Sequence, residues 1–128
     1  MKVPFRCPDC STSGSLTITH RLELPPDASW DEIALQIVRC SRCGFSGLAV
    51  YQESRRGALD SEIIHHSGFY IDDAELKSIL GMIQKCPKPK NEKCNCSAHR
   101  KLGRKDGYGG WDGLNEIQLG RHFEMKLD

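Results

Sequence analysis

The sequence has no run of apolar residues approaching the roughly 20 that an α-helix needs to cross a bilayer. Its first ten residues, MKVPFRCPDC, also lack the apolar stretch of a secretory signal peptide. We therefore expect a cytoplasmic protein with no membrane segment. Aromatic residues make up only 7% and hydrophobic residues 38% of the 128 residues. The apolar core is expected to be small for a chain of this length.

Motifs of the common enzyme classes are also missing from the chain. It contains no phosphate-binding loop, nucleophile elbow, H-E-x-x-H helix or dinucleotide fingerprint. His65 and His66 are adjacent, so on a strand their side chains diverge and would rarely bind one ion together. The sequence gives no positive reason to expect an enzyme, and we expect a non-enzymatic protein.

Cysteine is the residue that organises this sequence. The chain has seven cysteines, and an odd number cannot all pair as disulfides within one chain. Together with one histidine they fall into two sets with metal-binding spacing: Cys7, Cys10, Cys40 and Cys43 in the first, and Cys86, Cys94, Cys96 and His99 in the second. Eight ligands are what two closed tetrahedral zinc sites require. The sequence therefore predicts two Zn²⁺ ions, whose binding free energy adds to that of the small core.

Each set has rival interpretations. A single C-x-x-C pair is also typical of a redox-active dithiol, although two such pairs favour a shared metal. For the second set the alternatives are free cysteines and an iron–sulfur or redox-active site. If His99 is not a ligand, the second metal would keep an open coordination position.

Four apolar runs predict strands at residues 16–24, 33–38, 45–51 and 61–65. In the first run the apolar residues alternate and are expected on one face: Leu16, Ile18, Leu22 and Leu24. His20 is expected on the same face, as a packed or edge histidine rather than a ligand. The first C-x-x-C pair precedes the first strand, and the second pair separates the second strand from the third.

The motifs FRCPDC and VRCSRCGF, each beside a predicted strand, resemble those of zinc-ribbon proteins. The resemblance covers about residues 5–66, and it implies one zinc held by two knuckles at the end of a small antiparallel sheet of three or four strands. Gly44 follows the second pair and suits a knuckle turn that needs a positive φ. The 29 residues between the pairs exceed the common gap of about 15 to 20, so longer strands are expected.

In the second half of the chain, DDAELKSILGMIQKC predicts one amphipathic helix with an apolar stripe at Leu76, Ile79, Leu80 and Ile83. Asp72 or Asp73 suits the N-cap, and Pro87 should end the helix near Cys86. We therefore expect a small, zinc-stabilised α+β fold with a zinc-ribbon β domain at residues 1–66. Residues 67–128 would supply the helix, a second metal-bound loop and a C-terminal strand or arm, packed on the ribbon as one compact unit.

A basic segment surrounds the second Cys/His set. Residues 85–105 contain only one acidic residue, Glu92, against eight basic ones: Lys85, Lys88, Lys90, Lys93, Arg100, Lys101, Arg104 and Lys105. Basic side chains at fixed positions are typical of a surface that contacts nucleic-acid phosphates. The alternatives are a solvated loop, or partial neutralisation of a thiolate-rich metal site. The following DGYGGWDG places Tyr108 and Trp111 either as base-stacking aromatics or in a turn whose tryptophan packs on the core.

Three classes of function follow from these patterns. The leading hypothesis is a non-enzymatic zinc protein that binds nucleic acid through residues 85–105. The second is a protein-protein interaction adaptor, or a small subunit of a larger complex, that uses a strand edge or the helix face. The third is a metal-dependent hydrolase or nuclease that uses the second site with His65 or His66. The oligomeric state is left open between a monomer and a homodimer, because exposed strand edges can pair.

Overall fold

The computed structural model describes residues 5–55 and 63–126. These residues form an α+β fold with two helices and one antiparallel sheet of five strands, in which each strand pairs with the next along the chain. The strands are β1 (Leu16–Leu24), β2 (Glu32–Cys40), β3 (Ser46–Ser54), β4 (Ile63–Ile71) and β5 (Leu119–Glu124). The helices, α1 (Asp73–Lys85) and α2 (Ser97–Leu102), lie between β4 and β5 in the chain. Neither of these two helices is long and apolar enough to cross a membrane.

The sheet has more strands than the three or four that the sequence predicted. The additional strand is β5, at the place of the predicted C-terminal strand or arm; it pairs with β4 and places Phe123 beside Gly68. Most residues of β5 are exposed, so the strand lacks the apolar alternation that identifies a half-buried strand. The fourth strand also runs further than predicted, to Ile71, and positions 61 and 62 of the predicted strand lie outside the described residues.

Strand β1 does not present one face to the same core along its whole length. Its pairing with β2 shifts between Ile18 and His20, which makes Thr19 an extra residue. A β-bulge of this kind moves the residues on its two sides to opposite faces of the sheet. Leu16 accordingly packs beside the first cysteine set, whereas Leu22 packs in the helix-covered core. The prediction of one shared apolar face in this strand is wrong.

The two faces of the sheet are buried by different partners. On one face, Leu35 of β2 and Leu48 of β3 pack with residues of α1 and α2. On the opposite face, Val38 of β2 packs with Phe5 and Met125 next to the first cysteine set. Strand β2, which has a neighbouring strand on both sides, is consequently buried without interruption over residues 33–38.

Helix α1 forms where the sequence predicted it. The Asp72 carboxylate caps its start by accepting a hydrogen bond from the Ala74 backbone N–H at 3.2 Å, and the helix ends at Lys85, with Cys86 as its C-cap directly before Pro87. Its buried residues are Leu76, Ile79 and Ile83. The prediction of a single helix is nevertheless wrong, because α2 lies inside the segment expected to be a metal-bound loop. This helix has six residues, which is too few for a clear helical periodicity in the sequence.

The two adjacent histidines lie on opposite faces of β4. His65 contacts the Trp30 ring, with centroids 5.0 Å apart, and His66 Nε2 lies 2.7 Å from Gln36 Oε1. Burial, with a smaller contribution from the positive charge of Arg21, lowers the pKa of His66 to about 4. His66 is therefore a neutral, packed side chain at neutral pH.

Candidate metal centres

The first cysteine set converges at one end of the sheet. Cys7 and Cys10 precede β1, Cys40 ends β2, and Cys43 lies in the turn that follows. Their four sulfurs all lie within 4.8 Å of one another. The Cys7–Cys43 and Cys10–Cys40 sulfur separations are both 3.7 Å. Four sulfurs held tetrahedrally at about 2.3 Å from one ion would be about 3.8 Å apart, so this donor set fits a single metal ion.

Backbone pairing brings the two C-x-x-C pairs to the same place. Phe5 forms an antiparallel bridge with Leu16, and Leu16 in turn pairs with Cys40 across β1 and β2. The segment that carries the first pair is thereby held next to the end of β2. After the second pair the chain turns at Gly44, whose φ of +80° is one that glycine adopts without strain. The positive φ predicted at Gly44 is confirmed.

Backbone amides around the first set point at its sulfurs. The N–H groups of Arg42 and Cys43 donate to Cys40 Sγ at 3.3 Å, and the N–H of Asp9 donates to Cys7 Sγ at 3.4 Å. Donors of this kind stabilise the thiolate form of a cysteine, which is the form that binds metal. These amides surround the sulfurs as hydrogen-bond donors and are not themselves metal ligands.

Burial and hydrogen bonding act in opposite directions on the thiols of the first set. Burial raises the pKa of Cys7 to about 12. Burial also opposes ionisation of Cys40, but the Ser15 hydroxyl, 3.2 Å from its sulfur, and the backbone amides outweigh it and lower the pKa of Cys40 to about 6. The Cys40 thiolate is therefore favoured without any metal, whereas four adjacent thiolates require a cation to balance their charge.

The second set is assembled from both helices and the connection between them. Cys86 follows the last residue of α1, Cys94 lies in the connection, Cys96 is the N-cap of α2, and His99 lies in that helix. Their ligand atoms also lie within 4.8 Å of one another. Cys86 Sγ is 3.8 Å from Cys94 Sγ and 3.4 Å from His99 Nδ1, and Cys96 Sγ is 3.2 Å from the same nitrogen. Three sulfurs and one imidazole nitrogen are a donor set typical of structural zinc.

The hydrogen bond of His99 defines which of its nitrogens can bind a metal. Nε2 lies 2.8 Å from the backbone carbonyl oxygen of Glu23. A carbonyl can only accept, so Nε2 must carry the proton, and in the neutral ring the lone pair is then on Nδ1. Nδ1 is the nitrogen that faces the sulfurs of Cys86 and Cys96. Histidine ligands of metals are oriented in this way by a second-layer acceptor.

Glu23 was not predicted to belong to either site, and only the three-dimensional structure reveals its role. Its backbone N–H donates to the Pro89 carbonyl at 2.8 Å, while its own carbonyl accepts from His99. Strand β1 lies at the edge of the sheet, where backbone groups lack a neighbouring strand. The segment that carries the second set therefore covers part of this edge.

The eight basic side chains in the segment 85–105 are all exposed, but they do not form one uniformly basic surface. Lys90 and Lys93 line a cleft that also contains acidic residues: Glu23, Asp31, Glu32 and Glu92. Arg104 is engaged by the carboxylates of Asp112, at 3.6 Å, and Glu116, at 3.2 Å. The remaining five are Lys85 at the end of α1, Lys88 after it, Arg100 and Lys101 on α2, and Lys105 beyond α2.

The hydrolase hypothesis receives no geometric support. The second set contacts β1 through Glu23, whereas His65 and His66 lie on β4. Strands β2 and β3 separate β1 from β4. At about 4.8 Å between neighbouring strands, this separation is about 14 Å, which is too far for either histidine to share a reacting group with the second set.

No protein-family model, curated protein or solved structure matches this chain.

Proposed function

We propose that this chain is a non-enzymatic zinc protein whose two metal sites are structural, and that it binds nucleic acid through the basic segment at residues 85–105. The first site would be of the zinc-ribbon type, with two C-x-x-C knuckles at the end of a sheet. Its ligands would be Cys7, Cys10, Cys40 and Cys43, and those of the second site Cys86, Cys94, Cys96 and His99.

The orientation of His99 is the observation that carries the metal proposal furthest. A buried histidine that donates from Nε2 to a backbone carbonyl and presents Nδ1 to three sulfurs has the environment of a zinc ligand. Zinc is favoured over other ions because thiolates and imidazole in a closed tetrahedral set are its usual structural ligands. Four protein ligands leave no position for substrate, which supports a structural rather than a catalytic role.

The metal proposal is tested by chelation. Removing zinc with a strong chelator should lower the thermal melting temperature sharply, because structural zinc contributes about 10–16 kcal/mol of apparent binding free energy in zinc-finger peptides. Circular dichroism would follow the melt, and metal analysis would confirm the loss. An unchanged melt of verified metal-free protein would refute a structural role.

The nucleic-acid proposal is supported by the five basic side chains that face neither the mixed-charge cleft nor a carboxylate pair. Arg100 and Lys101 are exposed on α2, whose N-cap and buried His99 belong to the second metal set. A helix braced in this way would hold both cations at fixed positions. Cations that are fixed before binding lose little entropy when they meet phosphates.

A salt series with charge variants tests this second part. We expect the zinc-loaded protein to bind labelled nucleic acid, with an affinity that falls steeply as salt rises. The double substitution Arg100→Gln, Lys101→Gln should weaken binding and reduce the logarithmic salt slope by up to about 2, since each phosphate that is no longer neutralised on B-DNA lowers it by about 0.9. Lys77→Gln, a change at an exposed lysine on α1, is the matched control and should bind as the natural protein does. Failure of the natural protein to bind at low salt would refute nucleic-acid binding and favour a protein partner.

A further inference from the structure

Tyr108 is the most exposed large hydrophobic side chain in the described part of the chain. It is 96% exposed, whereas Ile63 and Ile64 are each 51% exposed. A tyrosine usually buries its ring and leaves only the hydroxyl in water. The full exposure of this ring therefore needs a physical reason.

The loop that carries Tyr108 is held by its own hydrogen bonds. The Asp106 carboxylate accepts from the N–H groups of Tyr108, at 2.8 Å, and Gly110, at 3.0 Å. The Asp106 N–H donates to the Gly110 carbonyl at 2.8 Å, which closes the loop at its base. Gly109 takes a φ of +81°, and its carbonyl accepts from the Ala28 N–H at 3.0 Å. Tyr108 is therefore presented to solvent by a loop that is fixed on both sides.

Trp111 anchors the same loop next to α2. Its indole N–H donates to the Leu102 carbonyl at 2.6 Å, and its ring packs against the helix-covered core. Trp111 also forms an antiparallel bridge with Lys105. The alternative in which this tryptophan packs on the core is thereby confirmed, and Tyr108 is left as the one aromatic of the pair available to a ligand.

The loop keeps this ring near the exposed Lys105. Lys105 is three residues from Tyr108, so their Cα atoms are at most about 11 Å apart. Arg100 and Lys101 lie on α2, which ends at Leu102, the residue whose carbonyl anchors Trp111. Proteins bind single-stranded nucleic acids with exposed, preorganised aromatic rings beside cations. The phosphates contact the cations, and an unpaired base stacks on the ring.

We propose that Tyr108 is a stacking platform for an unpaired base, so that the ligand of this protein is single-stranded nucleic acid. This inference rests on the proposed nucleic-acid binding and adds to it the class of nucleic acid. A base within a duplex is stacked on its neighbours and paired, and its face is not available to Tyr108. Stacking on an aromatic ring tolerates any base, so little sequence preference is expected.

The test compares two substitutions of Tyr108 by fluorescence anisotropy, using the full zinc-loaded chain. The probes are a labelled single-stranded oligothymidine of about 15 nucleotides, near the upper site size of a single-strand-binding module, and a mixed-sequence duplex of the same length. Tyr108→Ala should weaken binding to the single strand about 5- to 150-fold. Tyr108→Phe keeps the aromatic face and should bind within about twofold of the natural protein. Duplex binding should be the same for all three proteins.

The outcomes separate the two proposals. If the natural protein binds neither probe at low salt, nucleic-acid binding itself is refuted, and this inference with it. If it binds nucleic acid but Tyr108→Ala leaves the single-strand affinity unchanged, only the stacking role is refuted. An equal loss for Tyr108→Phe and Tyr108→Ala would also refute it, because the hydroxyl rather than the ring would then be responsible. Tyr108 is exposed, so all three proteins should share one melting temperature and metal content.

Discussion

Loss of the second metal should free the edge of β1 without unfolding the sheet. The perturbation is the double substitution Cys86→Ser, Cys96→Ser, which removes two of the four ligands in the second set. In the natural protein the Glu23 N–H is protected by the Pro89 carbonyl. Pro89 lies in the segment of residues 87–95, between the first ligand and the third.

The expected loss of protection follows from the free energies of the interactions that hold residues 87–95 on β1. It contains nine residues, and ordering their backbone costs at least about 1 kcal/mol each, or about 9 kcal/mol in all. The hydrogen bond from Glu23 to Pro89 in this segment and the one from His99, just beyond it, return only about 1 kcal/mol each. A structural zinc contributes about 10–16 kcal/mol, enough to cover the difference. Without the metal, the single hydrogen bond from Glu23 to Pro89 is too weak to keep the segment on β1.

Amide hydrogen exchange, measured by NMR, reports directly whether residues 87–95 still cover the edge of β1. In the natural protein the Glu23 amide should exchange slowly, and in the double variant it should exchange at close to the rate of an unstructured amide. The Ile37 amide of β2 is an internal control and should stay protected, because β2 is paired on both sides. Lys88→Ala is the matched control in the same segment, since Lys88 is exposed and is not a ligand. Unchanged protection of Glu23 in the double variant would refute the reasoning.

Two further predictions concern metal affinity and packing. Burial raises the pKa of Cys7 to about 12 and that of Cys86 to about 11, so both thiols hold protons at neutral pH until metal displaces them. Zinc affinity, measured by competition with a chromophoric chelator, should therefore fall as pH falls, by about tenfold per pH unit for each proton released; a pH-independent affinity would contradict this. Gly68→Ala should cost about 1–3 kcal/mol in urea denaturation, because an added Cβ would lie 2.2 Å from the Phe123 ring. Gly81→Ala in α1, where a Cβ meets nothing within 4 Å, is its control and should be neutral or gain up to about 1 kcal/mol; equal effects of the two substitutions would contradict the packing account.

The sequence predicted the composition of both Cys/His clusters because metal-ligand spacing is largely a local property. Two residues between cysteines are enough to bring both sulfurs to one ion, and the structure gathers the same eight side chains into two groups. Helix α1 could be predicted for the same reason, since its N-cap, its apolar stripe and the proline that ends it all lie within one short segment. Features that depend only on neighbouring residues in the chain can be predicted without knowledge of the fold.

The features that were missed depend on residues distant in the chain. The bulge at Thr19 arises from pairing with β2, and nothing in the apolar alternation of β1 marks it. Glu23 orients His99, 76 residues away, through a backbone carbonyl, so the identity of its side chain gave no signal. Strand β5 was expected only as a C-terminal strand or arm, because its residues are mostly exposed and burial imposes too little pattern to choose between the two.

Native mass spectrometry of the purified natural protein, with element analysis of the same sample, tests the central claim most directly. The two converging ligand sets predict a mass increase that corresponds to two zinc ions per chain, lost under denaturing conditions. Cys7→Ser, Cys40→Ser and, separately, Cys86→Ser, Cys96→Ser should each retain a single zinc. A folded natural protein that carries no metal, or whose cysteines are joined as disulfides, would contradict the account.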